Sequence, residues 1–145
     1  MKTILLLTSI LFSLAASQSV LETSSSLLLI PPTKPGSSVI LLGLNGAMCD
    51  PHVYISLIQT IQNYSNYTMW AAFPKFPGNF PMNVGQALTK TLNELKAQGA
   101  NSSDVFVIGH SLGTFVGQDY LSENSTGYKG LVLLGKFMRF KYQDS

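Results

Sequence analysis

Asp104–Leu121, DVFVIGHSLGTFVGQDYL, is the stretch whose reading decides the fold. It opens with Val105-Phe106-Val107-Ile108, an apolar run too short for a helix and rich in β-branched residues. That composition suits a strand buried on both faces of a parallel sheet. Gly109-His110-Ser111-Leu112-Gly113 follows, and then residues that fit one amphipathic helix. A Gly-x-Ser-x-Gly between such a strand and helix sets a serine at the tip of a sharp turn. A serine there has a strained backbone, which functional sites retain. Its neighbours two positions away come so close that Cβ atoms would collide, and glycine removes the collision. Ser111 then projects at the carboxyl end of the sheet, where α/β folds bind ligands. The plainer alternative has Gly109 and Gly113 shaping an ordinary turn while Ser111 caps the helix.

Outward from this centre the chain alternates. Upstream, Val39–Leu44 (VILLGL) predicts a buried strand, and Asn45-Gly46-Ala47-Met48-Cys49 a loop. Asp50-Pro51 supplies an N-cap acceptor and a first-turn proline, so a helix should begin there. Val53, Leu57, Ile61 and Tyr64, with Ile58 beside them, predict its inner stripe. Tyr67–Phe73 predicts a second strand, and the proline-rich Pro74–Pro81 a loop. Asn83 is placed to cap a helix with Val84, Leu88, Leu92 and Leu95 on one face, stopped at Gly99. Downstream, the helix after Ser111 should end near Glu123, and Gly130–Gly135 (GLVLLG) predicts a further buried strand. Gln18–Ser26 is weakly patterned, Leu27–Ile30 is a short apolar run, and Pro31–Gly36 reads as a turn-rich connection. Strand and helix in alternation imply right-handed crossovers and an α/β fold, a mostly parallel sheet with helices on both faces.

The GHSLG elbow in this setting resembles the α/β-hydrolase family, particularly its lipase and esterase members. The resemblance spans roughly Val39 to Gly135, the family's third to sixth strands, with the elbow as its one sharply specific motif. It implies a truncated α/β-hydrolase fold in which Ser111 is the nucleophile and His110 has no catalytic role. It also implies no cofactor. Acyl transfer further needs oxyanion donors, a base and an orienting acid. The Leu112 N–H, at the start of a helix whose dipole favours negative charge, is one candidate donor. The resemblance implies a second from the loop after the first strong strand: Ala47, with Met48 in reserve. There Asn45 stands where the family often carries histidine, and an ordinary loop is the competing reading.

The base is what the sequence lacks. His52, beside Pro51, reads as a solvated residue at a helix start, and His110 is the only other histidine. Asp144 has no histidine after it, so it does not fit the family's order of serine, acid, histidine. The sequence therefore looks like the amino-terminal part of a hydrolase, with acid and histidine contributed by residues beyond it. Acyl-ester or lipid hydrolysis through Ser111 is the leading expectation. A non-catalytic lumenal binding or pairing module that keeps half of the fold is the alternative.

Composition narrows the setting. The 145 residues are 46% hydrophobic and 11% charged, enough for one core. Nine Lys+Arg against seven Asp+Glu give +2, or +1 without Lys2, a balance in which nothing argues for nucleic acid, and no nucleic-acid partner is expected. Met1–Ser17 has an early lysine, an apolar run and a small-x-small end, the form of a signal peptide cleaved before Gln18. The run is too short and too interrupted for a membrane span, and no later stretch reads as one. Asn63, Asn66, Asn101 and Asn124 head glycosylation sequons, each between apolar segments, which agrees with a secreted or lumenal protein of residues 18–145. Cys49 is the only cysteine, so no intrachain disulfide forms. Cys49-Asp50-His52 lacks a zinc-binding spacing, so no metal site is expected. Lys136–Tyr142 interleaves basic and aromatic residues and reads as an exposed tail. An uncovered Gly130–Gly135 edge would favour self-association.

Overall fold

The computed structural model describes residues 18–32 and 34–135. The expected signal peptide, the Lys136–Tyr142 stretch and Asp144 lie outside the described residues. Six strands form one sheet: β1 (Ser19–Glu22), β2 (Ser26–Ile30), β3 (Ser38–Leu44), β4 (Thr68–Pro74), β5 (Val105–His110) and β6 (Gly130–Leu134). Their order across the sheet is β1-β2-β4-β3-β5-β6. The last four run parallel, whereas β1 pairs with β2 and β2 with β4 antiparallel. Three helices connect the parallel strands: α1 (Ile55–Tyr64), α2 (Val84–Ala97) and α3 (Leu112–Glu123). The four strands expected from the sequence are thus the third to sixth in chain order; the weakly patterned start supplies β1, and the short apolar run Leu27–Ile30 supplies β2.

The period of two along each strand divides the core. Ile40, Leu42 and Leu44 of β3, with Ala72, Val105 and Val107, face α2 and α3, where Leu88 and Leu95 meet them. Leu41, Ala71, Phe73 and Ile108 face the other way, under α1 and its Ile58. Among the described residues, one α-helix of 10 residues lies over that second face. A groove of about 400 Å³ remains there, with Met69, Phe106, Ile108 and Val132 in its walls. Among the described residues β6 is at the edge of the sheet, and its Val132 is 44% exposed.

Two expectations about the helices need correction. The stripe assigned to the first helix is partly out of phase: Ile58 is buried and Ile61 packs against the core as expected, but Val53, Leu57 and Tyr64 are exposed, and Tyr54 and Gln62 are buried in their place. Gln62 is the reason. Its side-chain amide donates to Leu29 O and Met69 O, both at 2.9 Å, so a polar side chain occupies a core position with its donors satisfied. Asn83 does precede α2, but in a left-handed conformation and without a side-chain capping bond. Asp50, by contrast, accepts from His52 N and caps a single 3₁₀ turn, Pro51–Tyr54, that leads into α1. Helix α2 ends where Gly99 N and Ala100 N turn back to Lys96 O and Leu95 O.

Candidate active site

Ser111 follows the last residue of β5 and precedes the first of α3, with φ 51° and ψ −113°. A positive φ is rare for a residue with a Cβ and marks strain of roughly 1–3 kcal/mol. Hydrogen bonds on both sides hold the turn. Ser111 N donates to Leu134 O (3.2 Å), and Thr114 N donates to Ser111 O (3.1 Å). Buried Thr114 also donates from Oγ1 to Gly109 O (2.9 Å), tying the start of α3 to the end of β5. No described residue hydrogen-bonds the Ser111 hydroxyl, which is partly exposed.

The two flanking glycines serve different contacts. A Cβ on Gly109 would lie 2.7 Å from both Gly113 O and Thr114 N, so this glycine lets the helix fold back on its own strand. A Cβ on Gly113 would lie 2.2 Å from Leu44 O and 2.7 Å from Asn45 O. That second contact is with the neighbouring strand. It presses the start of α3 against the loop that leaves β3, so Leu112 and Ala47 each sit one or two residues from the meeting point. Among the described residues neither the Leu112 N–H nor the Ala47 N–H has an acceptor. The Met48 N–H differs: Met48 has φ 57° and donates to Asn79 O (3.1 Å).

Side-chain bonds that the sequence did not indicate fix this loop. Buried Asn45 donates from Nδ2 to Gly46 O (2.9 Å), Cys49 O (2.9 Å) and Asn79 O (2.8 Å). With only two N–H groups for three carbonyls, one of these bonds is shared. Tyr54 OH accepts from Gly46 N at 3.0 Å and shares a hydrogen bond with His110 Nδ1 at 2.9 Å. The Tyr54 ring stacks on Phe73 at 4.9 Å, and Phe73 occupies the space a Cβ on Gly43 would need. Burial raises the Tyr54 pKa above its ordinary value, so the hydroxyl stays protonated. His110 is therefore a prop for the loop, turned toward α1, and has no bond to its neighbour Ser111.

His52 sits apart from this arrangement. Its Nδ1 lies 2.5 Å from Asp50 Oδ1 and its Nε2 3.5 Å from Glu22, both at the surface. Lys75 completes the group through Glu22 at 2.6 Å. Neither histidine hydrogen-bonds Ser111. Cys49 is half-buried with a free thiol, and among the described residues no cluster of His, Cys, Asp and Glu could hold a metal ion. No described helix is long and apolar enough to cross a membrane.

No family model matches the sequence, and no curated protein matches it. Solved structures do match the fold. A thermostable carboxyl esterase from Bacillus coagulans superposes with a TM-score of 0.63 at 16% identity, over 86% of this chain and 45% of that one. A laboratory-evolved variant of potato epoxide hydrolase gives 0.56 at 16%, over 88% and 43%. A lipase in its open form gives 0.54 at 16%, over 81% and 44%. The chain spans less than half the length of each of these proteins. At this identity the likeness concerns architecture alone: the chain has the α/β-hydrolase fold, over the part that its residues span.

Proposed function

We propose that the chain carries the nucleophile half of a secreted serine hydrolase acting on acyl esters or lipids. The observation that carries the reading is Ser111 itself, held in a strained conformation with no described partner for its hydroxyl. Ser111 Oγ attacks the ester carbonyl, and the Leu112 and Ala47 N–H groups receive the oxyanion. Both amides lack an acceptor among the described residues and flank the contact at Gly113, which supports this pairing over one with Met48, whose amide is engaged. A histidine and an acid from residues other than those described take the serine proton and orient the base. The carboxyl esterase and the lipase among the fold matches agree with this chemistry.

The test is covalent labelling of Ser111 with a fluorophosphonate. A base is worth typically about two to four decades of rate, so the 145-residue chain should label slowly. A chain extended through the histidine and acid should label several decades faster. Ser111→Ala should abolish labelling in both. Ser111→Gly should abolish it too while raising stability by about 1 kcal/mol, because glycine relieves the positive φ. Equal labelling of the parent and Ser111→Ala would remove Ser111 from the site. A loss of stability in Ser111→Gly would remove the strain argument.

A further inference from the structure

The four sequons occupy one end of the molecule. Strands β4, β3, β5 and β6 are parallel, so every connection from a helix into a strand lies at the same end of the sheet, the amino end. Asn63 and Asn66 lie where the chain passes from α1 into β4, Asn101 between α2 and β5, and Asn124 between α3 and β6. All four asparagines are exposed. The carboxyl end also has asparagines in its loops, Asn45, Asn79 and Asn83, and none of them heads a sequon. Ser111 is at that carboxyl end, one strand length away. For the six residues of β5 that is roughly 20 Å at about 3.3 Å per residue.

We infer that Asn63, Asn66, Asn101 and Asn124 are N-glycosylated and that their glycans form a single carbohydrate-covered pole opposite Ser111. The chemistry is transfer from a lipid pyrophosphate-linked oligosaccharide. Asparagine Nδ2 loses a proton and bonds to the anomeric carbon, whose bond to oxygen breaks, and the lipid pyrophosphate leaves with the electron pair. The local geometry accommodates the product. Asn124 Nδ2 donates to Tyr120 O (3.0 Å), and a glycosylated amide keeps one N–H for that bond. Tyr64 and Tyr67, the middle residues of the first two sequons, are 86% and 49% exposed, and sugars over these rings would take apolar surface out of water. Carbohydrate at this pole would leave the mouth of the Ser111 site and the β6 edge as the surfaces open to substrate or partner.

The full chain, expressed in a eukaryotic host with its own amino terminus and with a heterologous leader, separates this inference from the signal-peptide reading. Site mapping by mass spectrometry after enzymatic glycan release should mark all four asparagines, and each Asn→Gln variant should lose one glycan. Glycans only with the heterologous leader would overturn the signal peptide and uphold the pole. Two or fewer occupied sites in lumenal material would overturn the pole. Hydroxyl-radical footprinting supplies the spatial readout. Glycans should protect Tyr64 and Tyr67 several-fold and leave Met48 and Met82, 73% and 66% exposed at the carboxyl end, unchanged. Equal protection at both ends would overturn the arrangement even with every site occupied.

Discussion

The two turns that meet beside Ser111 are built by opposite means. Between β5 and α3 the backbone does the shaping: two glycines permit contacts that a Cβ would forbid, and Ser111 absorbs the strain. After β3 the loop is shaped by side chains, with Asn45 gathering three carbonyls and Tyr54 bonding Gly46 and His110. A backbone device fails abruptly, because closely packed main chain cannot give way. A side-chain device should fail by degrees, one hydrogen bond at a time. Both devices act on the stretches that carry Leu112 and Ala47, the amides proposed to receive the oxyanion.

The largest effect is expected at Gly113. In Gly113→Ala the methyl meets Leu44 O, Leu44 C and Asn45 O, all backbone atoms at the end of β3 and the start of its loop, at 2.2 to 2.7 Å. Either α3 shifts away from β3 or the variant does not fold, at a cost of roughly 4 kcal/mol or more. Denaturant unfolding and soluble yield measure this. A stable Gly113→Ala that still labels at Ser111 would show that the close approach is dispensable.

Asn45 comes next. Asn45→Ala strips donors from carbonyls of Gly46, Cys49 and Asn79 but also removes the buried Oδ1, which has no partner among the described residues. We expect a loss of about 2–3 kcal/mol in chemical denaturation. Asn45→Asp should be worse, since it turns a carboxylate on the same three oxygens. If both variants matched the parent, the loop would have to be held by backbone alone, and the contrast between the two turns would collapse.

How far each turn could be read from sequence follows from the same contrast. Gly109, Ser111 and Gly113 are adjacent, and a backbone that needs glycine leaves a local signature. The loop after β3 depends on contacts 8, 34 and 56 residues apart, and no spacing rule links Asn45 to Asn79 or Tyr54 to His110. The parallel strands were legible because they are apolar on both faces. β1 was not: SVLE is exposed along its whole length and exists by pairing with β2. The inner face of α1 was misread because burial there includes Gln62, whose bonds to Leu29 O and Met69 O lie outside any periodicity. Tyr54, at the hub of the loop, stands outside every spacing rule used on the sequence, because its bonds run to Gly46 and His110.

Tyr54→Phe should cost about 1–2 kcal/mol, because it keeps the stacking on Phe73 but leaves the Gly46 N–H and His110 Nδ1 without the hydroxyl. Its pH dependence has a definite sign. The folded pKa of Tyr54 lies above its ordinary value of 10.0, so the contribution is fully present below pH 10 and declines as pH rises toward the folded value. Tyr128 is raised as well, by burial and by Tyr120, and adds to the same alkaline loss. Tyr54→Phe should therefore soften the loss of stability above pH 10 without removing it. An unchanged alkaline profile would mean that the Tyr54 hydroxyl is not held in the folded protein.

The smallest effect is expected at His52, and it separates the surface cluster from the site. Hydrogen bonding to Asp50, helped by the charge of Glu22, raises the His52 pKa; Asp50 is lowered by its bonds from His52, and Glu22 chiefly by its hydrogen bond and charge contact with Lys75. A raised histidine contributes stability that is fully present below its ordinary value of 6.5 and is lost as pH climbs through the folded value. The carboxylates act oppositely, giving up their contribution as pH falls through their lowered values. All three groups are exposed, so solvent screening leaves little in either direction. NMR titration should place His52 above 6.5 in the parent, and Asp50→Asn should bring it down. His52→Ala should leave Ser111 labelling unchanged, since both ring nitrogens face carboxylates at the surface. A fall in labelling of a decade or more, at unchanged stability, would make His52 the base and end the division between the two turns and the surface cluster.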